Sequence, residues 1–290
     1  MNRRALLLSA GGLALAPSAL AHRALAHRQS EALQLWGPRV QGGAIIGRTR
    51  PRATIMVDGE ALATASARGF FIVGLDRDAP ASTTIEVRDG VSTVARQSIQ
   101  VARGDFAVQR VDGLPPSTVT PTDPALLARI QREAAVKAEG FASRTDLDHF
   151  IQGFVWPLTS YRVSSRFGAQ RILNGTPARP HYGIDLATPA GTEIRAPAPG
   201  LVTLAERDLH FEGGLTLIDH GQGLISAYLH QSRLLVSRGD VVSAGQPIGR
   251  VGATGRATGP HLCWRLKWRD RNLDPSLLVG VRAPGVIGID

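Results

Sequence analysis

One cysteine, Cys263, stands in a chain of 290 residues. A single thiol excludes any intrachain disulfide, so packing alone must hold the fold together, even in an oxidising compartment. Lysine is almost as scarce. Lys137 and Lys267 are the only two, and the formal charge of +9 is carried by arginine. Aromatic residues make up 5% of the chain and are not interleaved with a basic stripe, which argues against nucleic acid as a partner. The positive balance suits an anionic matrix such as a wall polymer. No uninterrupted apolar run reaches the about 20 residues that a membrane span requires, so no stable span is expected in the mature chain.

The first residues do carry a targeting pattern. Met1-Asn-Arg-Arg4 is a positive leader, Ala5 to Leu15 is apolar and small, and Ala19-Leu-Ala21 or Ala24-Leu-Ala26 fits a small-x-small cleavage rule. Pro17 cuts the apolar run short. Residues 1–26 are therefore expected to be a signal peptide, and the mature protein to be exported to the periplasm or cell envelope. The Arg3-Arg4 pair leaves the general and the twin-arginine routes both open.

The remaining roughly 260 residues suffice for two domains. From Leu33 to about Val111, short alternating apolar runs are separated by Asp58-Gly59, Arg68-Gly69 and Asp89-Gly90, the pattern of strands joined by tight turns. A small β-sandwich of immunoglobulin-like type is expected over residues 31–112. A proline- and hydroxyl-rich linker follows, and Asp123-Pro124 predicts a helix start, with an apolar stripe of Leu126, Leu127, Ile130 and Ala134. The helix is expected from about Pro124 to Lys137, within a connecting segment 113–153. Residues 154–282 return to short strands and glycine turns with little helical periodicity, which predicts an antiparallel β domain. The fold class is thus mainly β.

The chemistry-bearing residues cluster in that last domain. His261 and Cys263 are two apart in a strand-like stretch and so share a face. His181 and Asp185 are four apart. Fully extended, their Cα atoms would stand about 13 Å apart, too far for one ion, so the backbone must bend between them, and Gly183 permits it. Gly252-Ala-Thr-Gly-Arg-Ala-Thr-Gly-Pro260 leads straight into His261. Such a glycine-dense loop suits close approach of backbone to a ligand, but it lacks the Gly-Lys-Ser/Thr ending of a phosphate loop. A catalytic zinc takes three protein ligands and keeps a position open. His220, within Asp219-His-Gly, is expected to be a structural hydrogen-bonding residue.

Arg166-Phe-Gly, Pro180-His-Tyr-Gly-Ile-Asp-Leu-Ala-Thr-Pro-Ala-Gly-Thr, Ala196-Pro-Ala-Pro-Gly-Leu-Val, Asp219-His-Gly-Gln-Gly-Leu, Tyr228-Leu-His230 and Gly249-Arg-Val-Gly-Ala-Thr-Gly-Arg-Ala-Thr-Gly-Pro-His-Leu follow in order between about Trp156 and Leu278. This series resembles the lysostaphin/LytM-like zinc peptidases, metallopeptidase family 23. The resemblance implies a peptidoglycan endopeptidase that hydrolyses the peptide cross-links of the bacterial wall, with Zn2+ as cofactor and peptidoglycan stem peptides as partner. It implies His181 and Asp185 as zinc ligands, and His230 and His261 as the imidazoles flanking the attacking water. The family's third ligand is a histidine, and this chain has Cys263 there. Arg171 and Asn174, just upstream of His181, are candidates for holding substrate.

A thiolate binds zinc well, at about 2.3 Å. Together with Asp185 it cancels both charges of the ion, however, and a neutral centre acidifies water less. Retained zinc with weaker hydrolysis is expected. The alternative reading is a catalytically weak or inactive relative that binds peptidoglycan or activates a wall amidase.

Overall fold

The computed structural model describes residues 32–286; the segment expected to be a signal peptide lies outside the described residues. The mainly β expectation is borne out. The N-terminal unit has seven strands: β1 (Gln34–Trp36), β2 (Ala44–Arg48), β3 (Thr54–Val57), β4 (Glu60–Thr64), β5 (Phe70–Gly74), β6 (Ser82–Asp89) and β7 (Ser92–Gln100). They form two antiparallel sheets, β1-β2-β5 and β4-β3-β6-β7. The alternation seen in the sequence becomes an inner face. Ile55, Val57, Ile85 and Val87 are fully or almost fully buried in one sheet, and Ile45, Phe71 and Val73 in the other.

Next come β8 (Val108–Val111), the short helix α1 (Pro116–Val119) and the long helix α2 (Pro124–Phe141). The Asp123 side chain accepts from the Leu126 amide at 2.8 Å, as an N-cap should. Helix α2 runs four residues beyond the expected Lys137. Its last turn docks on the next domain, where a Cβ on Gly140 would stand 2.9 Å from Leu217 Cδ1, so close packing holds that turn in place. Upstream the helix is held by polar contacts, from Arg129 to the Asp208 carbonyl (2.7 Å) and from Lys137 to Glu212 (2.5 Å). Within the apolar stripe, Leu127 and Ala134 are exposed.

The C-terminal unit comprises β9 (Arg162–Ser165), β10 (Gln170–Leu173), β11 (Thr176–Pro177), β12 (Ile184–Ala187), β13 (Glu193–Arg195), β14 (Gly200–Leu209), β15 (Gly213–Asp219), β16 (Leu224–Leu234), β17 (Val241–Val242), β18 (Pro247–Val251), β19 (His261–Trp268) and β20 (Arg271–Leu273). Its main sheet runs β17-β14-β15-β16-β19-β12-β9, antiparallel between neighbours. On β19, Leu262, Trp264, Leu266 and Trp268 are buried on one face, leaving His261, Cys263 and Arg265 on the other, as period-two alternation requires. Removing a ring as buried as Trp264 typically costs about 3–5 kcal/mol.

Two features tie the halves together. The apolar core is continuous from the sandwich into the main sheet, reinforced by hydrogen bonds from Asn272 N to Asp76 (2.7 Å) and from Asp274 N to the Gly42 carbonyl (2.8 Å). Strand β8, which the sequence pattern grouped with the sandwich, pairs instead in parallel with β10. It therefore lies beside the site described next. Among the described residues, no helix is long and apolar enough to cross a membrane.

Candidate metal centre

Strand register gathers the centre of the site. Ser165, Asp185, Cys263 and Leu229 are paired one to the next across β9, β12, β19 and β16, and directly opposed residues carry their side chains on one face. His181, just before β12, reaches back over this row. Its Nε2 lies 3.1 Å from Asp185 Oδ1 and 3.3 Å from Cys263 Sγ. One donor atom from each of His181, Asp185 and Cys263 lies within 4.8 Å of the others, and all three residues are buried. Gly183 matters here for a reason other than the expected bend. Its φ is not left-handed, but a Cβ would stand 3.1 Å from Cys263 Sγ and 2.7 Å from Arg265 Cγ. Only a residue without a side chain lets β12 pass so near the sulfur.

Hydrogen bonds fix how each donor presents itself. Ser165 Oγ donates to Gln109 Oε1 at 2.7 Å, so its oxygen is left to accept from His181 Nδ1 at 3.0 Å. That arrangement places a proton on Nδ1 and turns Nε2 toward the carboxylate and the sulfur. Arg171 Nη2 donates to Asp185 Oδ2 at 2.8 Å. Asp185 Oδ1 is buried and accepts no hydrogen bond.

Burial pushes the Asp185 pKa upward, but His181 and then Arg171 outweigh it and hold the carboxyl well below the usual carboxylate range. For His181, burial favours the neutral ring, and Cys263 and Asp185 together overturn this and raise its pKa. Both directions say the same thing: positive charge is favoured beside Asp185 and Cys263. Nitrogen, oxygen and sulfur donors that converge around an unsatisfied carboxylate oxygen fit a divalent ion of the zinc type.

His230 and His261 stand beside this group with ring centroids 4.7 Å apart. His230 Nδ1 donates to the Thr254 carbonyl and His261 Nδ1 to the Gly259 carbonyl, both at 2.8 Å. Each Nε2 is therefore free to accept a proton, and that of His261 is 3.7 Å from Asp185 Oδ1. Burial lowers both pKa values, that of His230 to about 4, so both rings are neutral at neutral pH. His230 has a left-handed φ of 64°, where the register between β15 and β16 is irregular, and this strained conformation re-aims its ring.

A cleft of about 380 Å³ opens on the group, with His181, Asp185, His230, His261, Cys263 and Arg265 on its wall. An adjoining hollow of about 460 Å³ runs from Asp185 and His261 to Gln109 and Leu114. Arg171 lines both. The side chain of Asn174, by contrast, is spent on the backbone of Leu114, donating to its carbonyl (2.7 Å) and accepting from its amide (3.1 Å).

The sequence profile of peptidase family M23 matches residues 179–275. The chain is 41% identical over 118 residues to the peptidoglycan DD-endopeptidase ShyA of Vibrio cholerae, covering 40% of this chain and 27% of ShyA. It is 38% identical over 119 residues to the DD-carboxypeptidase/endopeptidase Mpg of Neisseria meningitidis, covering 41% and 27%. The chain thus spans about a quarter of the length of these curated relatives. The crystal structure of a Pseudomonas aeruginosa protein described as an M23 peptidase is 30% identical, covers 84% of this chain and 96% of that one, and superposes with a TM-score of 0.64. The chain belongs to peptidase family M23.

Within the matched M23 segment lie His181, Asp185, His230, His261 and Cys263. Two of the groups that orient them, Gln109 and Ser165, lie outside it, and sequence reasoning missed both because Ser165 meets His181 across 16 positions and Gln109 meets Ser165 across 56. Arg265 was missed as well, although its place two residues after Cys263 carried the signal. His220 is structural, as expected: its Nδ1 donates to the Pro199 carbonyl (2.8 Å) and its Nε2 accepts from Ser226 (2.7 Å).

Proposed function

We propose that this protein is a zinc-dependent peptidoglycan endopeptidase of the periplasm or cell envelope, hydrolysing peptide cross-links of the wall, with residues 154–282 as its catalytic unit. The observation that carries the proposal is the pairing of a buried His181-Asp185-Cys263 donor set with two imidazoles whose Nε2 atoms are free. The endopeptidase names of the relatives support the choice of substrate. Bound zinc supplies Lewis-acid polarisation of the scissile carbonyl and an acidified water.

The chain's own residues do the rest. His230 and His261, neutral at working pH and anchored through Nδ1, take the proton of the attacking water at Nε2 and return it to the leaving amine. Arg171 holds Asp185 ionised and in place, and its position between the two hollows suits it to contact a substrate carboxylate or carbonyl as well. Asn174 contributes through Leu114, whose side chain forms part of the wall of the larger hollow.

The test is zinc content by elemental mass spectrometry together with release of soluble fragments from purified peptidoglycan. About one zinc per chain and wall cleavage, both lost in Asp185→Ala, are expected. A zinc-loaded parent that pellets with the wall but releases nothing would refute the enzyme and favour the wall-binding or amidase-activating alternative.

A further inference from the structure

The substitution of a cysteine for a histidine ligand removes one positive charge from the centre, and a count restricted to the ligands predicts a weakened site. That count omits the neighbour of the sulfur. Arg265 lies two residues after Cys263 on β19, on the same face of the sheet, and its Nε donates to Cys263 Sγ at 3.4 Å. We propose that Arg265 is the positioning residue that makes a cysteine workable as the third ligand, drawing charge from the sulfur and returning to the site the positive charge that the thiolate takes away. The inference rests on the metal-site reading above.

Three lines of structure support it. The first is commitment. Among the described residues, the sulfur is the only hydrogen-bond partner of the Arg265 side chain. The nearby carboxylates pair with other cations, Asp185 Oδ2 with Arg171 at 2.8 Å and Glu212 Oε1 with Lys137 at 2.5 Å. The second is division of labour. Arg171 serves Asp185, while Arg256 donates to the Thr118 carbonyl (2.9 Å) and stacks over Phe211 at 4.9 Å, which leaves Arg265 as the arginine that serves the sulfur. The third is placement. The sulfur belongs to a buried apolar cluster with Leu204, Leu217 and Leu229, so little water is available to solvate its charge, and a hydrogen bond from a guanidinium acts there at low dielectric.

The charge balance follows. A divalent ion with aspartate and two histidines carries one net positive charge. With aspartate and a thiolate it carries none, and with Arg265 at the sulfur the positive charge returns. A hydrogen bond to a coordinating sulfur also lowers its donor strength, which keeps the ion more electrophilic toward its open position. The partnership is mutual: beside a neutral imidazole the same guanidinium would only repel the ion.

The full mature chain loaded with Co2+ provides the test, because sulfur-to-cobalt charge-transfer absorption in the near ultraviolet reports how strongly the sulfur donates. The parent should take up one Co2+ and show the band. Arg265→Met, at equal Co2+ occupancy, should move it to longer wavelength, and Arg265→Gln, which keeps an N–H but not the charge, should fall between. In the Cys263→His background, which has no such band, Arg265→Met should not slow hydrolysis, whereas in the parent it should. A band unmoved in Arg265→Met at full occupancy overturns the role of Arg265 while leaving the metal centre standing. If Arg265→Met fails to fold, a parental band position in Arg265→Gln overturns it equally. Co2+ uptake without any charge-transfer band in the parent would instead refute Cys263 as a ligand, and with it the site on which the inference depends.

Discussion

Acid should weaken this fold through His220, and the size of the effect can be worked out. The ring is fully buried. Its Nδ1–H is spent on Pro199, its Nε2 lone pair on Ser226, and Ser226 Oγ in turn meets Tyr228 OH at 2.8 Å. Phe154 covers it edge-on with ring centroids 4.8 Å apart. A second proton has nowhere to go without breaking the Ser226 bond and charging a dry site. Burial accordingly depresses the His220 pKa to about 4 in the folded chain, against about 6.5 in an unfolded one.

The sign follows from linkage. The unfolded chain binds a proton here below about pH 6.5 and the folded chain does not until about pH 4, so the stability is fully present above pH 6.5 and is lost as pH falls between the two. At pH 4.5 the difference amounts to about 2–3 kcal/mol. Urea unfolding of the metal-free parent and of His220→Asn, at pH 7.5 and 4.5 in the presence of chelator, isolates this contribution. The variant begins less stable but should lose about 2–3 kcal/mol less than the parent on acidification. Equal losses in the two proteins would refute the account of His220 as a ring held neutral by its surroundings.

Further outcomes follow from the site. Cys263→Ala should bind zinc far more weakly than the parent in a chelator competition while keeping its far-ultraviolet dichroism; undiminished affinity would remove the sulfur from the ligand set. Gln109→Leu frees the Ser165 proton to point at His181 Nδ1 and so favours the wrong tautomer. Loss of such an outer partner typically costs about 10- to 100-fold in metal affinity, and unchanged affinity would show that Gln109 does not orient the ligand. Gly183→Ala should lower stability by about 1–3 kcal/mol through overpacking and should also weaken metal binding, because the new methyl meets the sulfur itself; a thermal melt and a metal titration both matching the parent would refute the close-approach reading.

Much of the fold is legible because its causes are local. Asp58-Gly59 and Asp89-Gly90 turn the chain where expected, between β3 and β4 and between β6 and β7, since positive φ is cheap at those residue types. Asp123 caps α2 by a contact three residues long. The apolar alternation of β19 reads directly as a buried face of Leu262, Trp264 and Leu266. The end of α2 was not legible, because it is set by the docking of Gly140 against Leu217, a contact between distant segments.

The sequence by itself determined the strand-and-turn grammar, the family resemblance and, through the motifs that carry that resemblance, the five candidate residues His181, Asp185, His230, His261 and Cys263. Only the tertiary structure decided how they meet. The cross-strand register sets Asp185 opposite Cys263, the parallel pairing of β8 with β10 brings Gln109 to Ser165, and the packing of β12 against β19 leaves room for no side chain at Gly183. These arrangements depend on chain closure and burial across tens of residues, where propensity is silent and register and packing choose the partner.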